Sequence, residues 1–491
     1  MVRDSDALKV LGIRLTSSAM GWLVWSVAAL ALSGLLAVGI VAARVPWVQS
    51  LLPWQDSFRP LLVVHVDCSV LLWFAGCSAM AMAMFREVRW PLVEAACRWT
   101  SWFGMILLVV SPWLMPGGSA ILNNYIPVLE NPWFMVGLAA SMVGVSVAMS
   151  VSVAGWFWPP ASDLAEDLPS TSGMASWWPD RRLALEALVW LWVVWFVVWF
   201  LMGWSVRGMD RWAGVSWMTA EWWYEHWMWG PGHLLQHAYI GVMLVATLLV
   251  ADASWVKQER SWLRLMVWLN GGATLVGLGV AMVHGDPTSS SAMLGWTWYM
   301  TWISGWAPAL WYIRVALGWF RGWILWDSPM RDSEGVRSGR YLVAAWVLGV
   351  AGGVIGMGLT TEDTRVPAHY HGMIVSVSVM LMAMVRDVVH RVGGKVVPGW
   401  IERWHPGMVM AGQLLHIGGL AVSGGYGALR KTPGAMDQWQ AQWAMGAMGL
   451  GGLLAIVAGA CYVWMVGGML LRLNDGRNMK IFSFGEKKHL T

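Results

Sequence analysis

Charge is what this 491-residue sequence has least of. Asp, Glu, Lys and Arg together make up 12% of it, where a soluble domain carries roughly 25%. A chain so poor in charge cannot clothe a water-facing surface, so the three soluble domains its length would suggest are excluded. Cysteine is scarce too. Cys68, Cys77, Cys97 and Cys461 are the four present, in or beside apolar stretches and with no CxxC pair among them. That argues against a disulfide framework, a zinc site and a c-type haem attachment. The net charge is only +4 and no basic cluster occurs, so nothing reads as nucleic-acid binding. Soluble segments, repeat arrays and low-complexity linkers are missing as well. The longest polar loop is 158–182.

Apolar side chains fill the gap. Hydrophobic residues reach 57% and aromatics 13%, a composition incompatible with disorder. About 20 apolar residues cross the hydrocarbon core of a bilayer, and twelve such stretches occur. They run approximately 19–42, 60–84, 98–116, 132–157, 183–205, 231–253, 262–284, 292–316, 340–360, 366–388, 405–425 and 443–470. The expectation is an all-α polytopic membrane protein, with residues 1–491 forming one transmembrane domain. A full-length span follows Arg3, Lys9 and Arg14 with no small-residue cleavage site after it, so the first stretch is expected to stay as an anchor. Tryptophan, with 42 copies, is the oddity. Interfacial belts account for some, but the sequence offers no reason for those in mid-span.

Twelve spans put both termini on one side, and the positive charges select it. Of the 32 Lys and Arg residues, 25 fall on the side of the termini and 7 on the other. The positive-inside rule then makes both termini cytoplasmic.

With orientation fixed, the eleven histidines acquire depths. His65 lies in the first turns of the second span, and His233 opens the sixth. His284 closes the seventh, His369 and His371 open the tenth, and His416 lies in the outer half of the eleventh. At 1.5 Å rise per residue, all six fall within about 20 Å of the outer surface. His226 and His237 flank the layer, while His390, His405 and His489 face the cytoplasm. A single membrane histidine is most often a hydrogen-bonded packing residue. Six at one depth, from five helices, point to a cofactor or a proton path. Neutral imidazole is the common axial ligand of haem iron and a good copper ligand. Within His369-Tyr370-His371, the two imidazoles leave a helix about 200° apart. Such a pair cannot chelate one metal from one face, but it can serve two haems on opposite sides of a helix. The plainer reading is two unrelated polar residues at a helix start.

These residues resemble those of subunit I of the haem–copper oxidase superfamily, which includes the catalytic subunits of cytochrome c oxidase and nitric oxide reductase. The resemblance runs over nearly the whole chain. Pro367-Ala368-His369-Tyr370-His371-Gly372 is similar to the motif that opens the family's tenth helix. It implies that His369 binds a high-spin haem and His371 a low-spin one. His65, in Leu61-Leu62-Val63-Val64-His65, fits the family's second low-spin ligand. Tyr224-Glu225-His226-Trp227-Met228-Trp229-Gly230-Pro231-Gly232-His233 keeps the spacing of the helix-six run that ends in a copper ligand. His233 would thus hold copper, or non-haem iron. Leu415-His416-Ile417-Gly418-Gly419-Leu420 leads to Arg430-Lys431, which resembles the basic pair that holds haem propionates.

The sequence also departs from the family. Many members place a tyrosine four residues after the helix-six histidine; here His237 stands there, with Tyr239 two further on. His237 is either an extra metal ligand or an ordinary polar neighbour. The adjacent histidine pair of the seventh helix is missing. His284, in His284-Gly285-Asp286, is either the surviving ligand, with Asp286 as an oxygen ligand, or a helix cap. Glu225 stands near His233 as a proton relay or ligand-shell acid. The resemblance implies a bacterial cytoplasmic (inner) membrane enzyme of the respiratory chain, with two haems of a or b type. Electrons would run from the low-spin haem to a high-spin haem and second metal that reduce dioxygen to water. Nitric oxide reduction at a non-haem iron is one alternative, and a dihaem electron-transfer subunit without gas chemistry is another. With no CxxCH and no cupredoxin-type copper motif in the chain, a cytochrome c-type or copper-containing donor is implied as partner.

Overall fold

The computed structural model describes residues 16–42, 58–85, 89–157, 178–209, 218–321, 338–359, 363–392, 399–428 and 438–475. The protein is an all-helical, polytopic membrane protein. Its long helices are α1 (Ser17–Ala42), α2 (Phe58–Phe85), α3 (Pro91–Leu114), α4 (Pro132–Phe157), α5 (Arg181–Met209) and α6 (Ala220–Val250). They continue with α7 (Arg260–His284), α8 (Ser290–Tyr299, Met300–Ser304 and Trp306–Phe320), α9 (Ser338–Met357), α10 (Arg365–Arg391), α11 (Gly399–Gly425) and α12 (Trp439–Asp475). Among the described residues eleven helices are long and apolar enough to cross a membrane. The twelfth expected span, 292–316, is α8, which is broken into two α-helical pieces by a π-helical turn at Met300–Ser304. Helices are the form the composition dictates, because inside a bilayer each backbone N–H and C=O must be paired within its own segment.

Three helices make the centre. The apolar windows of α2, α6 and α10 are 89%, 89% and 83% buried, against 50% or less for the other spans. These are the helices that carry His65, His233, His369 and His371. Their sequences suit an interior: the stretch Trp73–Phe85 of α2, rich in Ala and Met, is buried along its whole length. A helix apolar all round belongs inside a larger protein. Around the three, α1 packs on α2, α5 on α6, α9 on α10, and α11 on both α10 and α12.

Close approach of α9 and α10 depends on two glycines. A Cβ on Gly372 would lie 2.6 Å from the Cα of Gly352, and one on Gly352 would lie 2.9 Å from the Cα of Gly372. Any side chain at either position would push the backbones apart.

Several of the mid-span tryptophans find their explanation here. Trp73 of α2 donates its indole N–H to Ser378 of α10 at 3.1 Å, and Trp311 of α8 to Thr247 of α6 at 2.9 Å. Trp192 and Trp199 of α5 reach Ser150 and Ser146 of α4 at 3.0 and 2.7 Å. Each fills space with its ring while its one donor ties two helices together, a bond worth roughly 0.6 kcal/mol on average between membrane helices.

Between α3 and α4 a two-stranded antiparallel hairpin, β1 (Ala120–Ile121) with β2 (Val128–Leu129), packs against α2, α4 and α6. It carries Tyr125 over the end of the helical core.

Candidate functional site

α1, α2, α6, α8, α10, α11 and α12 surround a cavity of about 2560 Å³. Small-molecule pockets run roughly 300–1,000 Å³, so the space suits an occupant or occupants well above that size. His65, His369, His371, His416 and His237 all line it. The buried hydroxyl of Tyr239 and the amide oxygen of Gln413 line it too, and neither has a hydrogen-bond partner among the described residues. An interior polar atom left unpaired is costly, and both are turned to where an occupant would sit.

His65 ends the first piece of α2, just before a π-helical segment at Asp67–Leu72. Its Nδ1 lies 2.9 Å from the carbonyl of Ser33 on α1. His369 sits with Nδ1 2.8 Å from the carbonyl of Gly352 on α9, and His371 with Nδ1 2.8 Å from the carbonyl of Pro367, one turn back on α10. A carbonyl only accepts, so in all three rings Nδ1 carries the proton and Nε2 carries the lone pair. Among the described residues nothing donates to those Nε2 atoms. This is the arrangement of metal-ligating histidines, which commonly give their second N–H to a backbone carbonyl.

His369 and His371 leave α10 on different sides. The ring of His369 leans on α9, where a Cβ on Gly356 would meet its Nδ1 at 2.4 Å. The ring of His371 stacks on Tyr370 and stands 5.2 Å, centroid to centroid, from His416 of α11. The cavity passes both. Its size and its imidazoles with open Nε2 are of the kind that fit haem.

The residues expected at a second metal are not gathered together. His233 does not line the cavity. Its Nδ1 bonds to the carbonyl of Trp229, its ring stacks on Trp296, and the Tyr125 hydroxyl lies 3.1 Å from its Nδ1 and 3.2 Å from its Nε2, in line with the lone pair of neither. Tyr125 is in the hairpin outside the spans, and burial raises its pKa above the ordinary phenol value, so it remains a protonated donor. His237 gives Nδ1–H to Asn270 Oδ1 at 2.9 Å, while its Nε2 lies 2.6 Å from the Tyr299 hydroxyl. The Asn270 amide also donates to the His237 carbonyl, which fixes its orientation. His284, at the end of α7, lies against Gly295. Asp286 accepts from the Thr288 N–H and hydroxyl in the α7–α8 turn. Glu225 lies two turns before His233 on α6 and does not line the cavity. Among the described residues no three His, Cys, Asp or Glu are grouped to hold a metal. These donors do not fit the copper or non-haem iron expected beside His369. Arg430 and Lys431, the expected propionate pair, lie outside the described residues.

Sequence reasoning missed Tyr299, Asn270 and Tyr125, and left His416 as one member of a layer. Asn270 carried a signal, since a polar side chain in mid-span usually has a specific partner. Tyr299 and Tyr125 carried none.

No family model matches the chain. An uncharacterized protein of Rickettsia prowazekii is 25% identical over 92% of this chain and 95% of its own length. Another from Aquifex aeolicus is 24% identical over 79% and 88%. Among solved structures, a cryo-EM structure of a heme-copper terminal oxidase dimer matches at a TM-score of 0.62, covering 95% of this chain and 84% of its own. The fold is shared with that oxidase. Sequence identity is only 16%, so the likeness is one of architecture.

Proposed function

We propose that this chain is the two-haem subunit of a membrane oxidoreductase of the terminal-oxidase type. One observation supports it above the others. Three histidines on the two central helices α2 and α10 line one large cavity with Nδ1 on a main-chain carbonyl and Nε2 open. His65 and His371 would hold a low-spin haem, and His369 a high-spin one. Haem so held supplies one-electron redox chemistry and, where an axial position is open, a place for a diatomic gas.

The chain's own part is positional. Ser33, Gly352 and Pro367 orient the three imidazoles through their carbonyls and keep the electron pair of each Nε2 directed away from the backbone. The apolar walls limit water, and the hairpin with Tyr125 covers the outer end of the site. The likeness to a terminal oxidase favours dioxygen as the gas. Lys and Arg counts favour a multi-pass protein of a bacterial cytoplasmic membrane with both termini inside. Electrons would come from a separate cytochrome c-type or copper-containing partner. Reduction at a second metal is left out of this reading because the donors around His233 and His237 do not suit one.

The test is haem extraction and optical spectroscopy on the purified chain. Two haems per chain, one of which binds carbon monoxide after reduction, are expected. A chain that binds no haem would overturn the proposal.

A further inference from the structure

We infer that α6 holds no second metal in this protein: a phenol caps His237, and His233 stands outside the cavity. The inference rests on the haem reading for its function but on hydrogen bonding for its evidence. Imidazoles in this protein divide by the state of Nε2. In His65, His369 and His371 that nitrogen has no partner among the described residues. In His237 the Tyr299 hydroxyl lies 2.6 Å from it, whereas at His233 the Tyr125 hydroxyl is 3.1 Å from Nδ1 and 3.2 Å from Nε2 and so caps neither. In both of these rings Nδ1 faces an acceptor, the Trp229 carbonyl or Asn270 Oδ1. Nδ1 therefore holds the proton, and in His237 the Nε2 lone pair that a metal would need is the one the Tyr299 phenol donates to.

The Tyr299 cap is built in, not incidental. Tyr299 immediately precedes the π-helical turn of α8, and its hydroxyl is also 3.0 Å from the Ala273 carbonyl of α7. A Cβ on Gly277 would lie 3.1 Å from that hydroxyl, so α7 closes over it. Tyr125 fills the place beside Gly232, where a Cβ would meet its ring at 2.2 Å. His237 is 1% exposed and held at three points: Nδ1, Nε2 and its carbonyl. Freeing it for a metal would break the Tyr299 bond and leave that hydroxyl only the Ala273 carbonyl. A haem held by His369 would then have no metal on α6 as its neighbour.

The experiment measures copper, total iron and haem per chain on protein purified without chelator from cells supplied with both metals. Copper and non-haem iron well below one atom per chain are expected, alongside the haem. Tyr299→Phe should leave those metal ratios unchanged while shifting the C–O stretch of the carbon monoxide adduct, because His237 loses its partner. One copper or one non-haem iron per chain, lost in His233→Ala or His237→Ala, would overturn the inference. A chain with neither haem nor second metal would sink the haem reading and leave the capped His237 standing, so the two failures are distinguishable.

Discussion

At the scale of single residues, a second hydrogen bond decides what each histidine can do. A carbonyl on Nδ1 sets the tautomer and aims Nε2, and the ring must also be held in place. For His369 the holding surface is Gly356. A methyl group there would lie 2.4 Å from Nδ1, and the backbone cannot yield because Gly352 and Gly372 are already in contact. Gly356→Ala should therefore turn the His369 ring, abolish carbon monoxide binding and leave the low-spin spectrum in place. Gly353→Ala, where a Cβ would have nothing within 4 Å, is the control and should behave as wild type. Optical difference spectra of the two variants decide it; unchanged carbon monoxide binding in Gly356→Ala would show that the ring is held otherwise. The histidines themselves were legible in the sequence, because depth along a helix follows from residue count alone. Their phenol neighbours were not. Tyr299 and Tyr125 come from a neighbouring helix and an inter-helix hairpin, and no local pattern ties them to α6.

At the scale of elements, the central helix α10 is fixed at both ends by different means. Glycine contact with α9 sets its outer half. Its inner half carries Arg386, 0% exposed, bonded to Asp387 at 2.6 Å and paired with Glu402 of α11. Removing one partner of a buried pair costs about 3–5 kcal/mol, because the remaining charges are uncompensated. Arg386→Ala should thus lower the thermal stability of the detergent-solubilised protein markedly, and Arg386→Ala combined with Glu402→Gln should recover part of the loss. Equal melting of Arg386→Ala and wild type would contradict this. The spans were readable from apolar length, but their interruptions were not. The π-helical segments at Asp67–Leu72 and Met300–Ser304 begin two residues after His65 and one after Tyr299. Such segments recur at functional sites, yet nothing in the residues DCSVLL or MTWIS distinguishes them from ordinary helix. Tertiary packing sets them.

At the scale of the whole molecule, composition and spacing reached the polytopic helical fold, and the shared architecture with a heme-copper terminal oxidase agrees with it. What they could not reach is which helices lie inside. Mean apolarity is similar across the spans, with windows from 1.2 to 2.2, and only packing separates α2, α6 and α10 from the rest. The resemblance also carried over an expectation of a second metal that the hydrogen bonds of His233 and His237 do not suit. The central claim is that α10 presents two imidazoles to two different haems. Its most direct test is the low-temperature electron paramagnetic resonance spectrum of the oxidised protein, compared with His371→Ala and His369→Ala. The account predicts that His371→Ala loses the low-spin signal and keeps the high-spin one, and that His369→Ala does the reverse. Loss of both signals in each variant, or of the same signal in both, would contradict it.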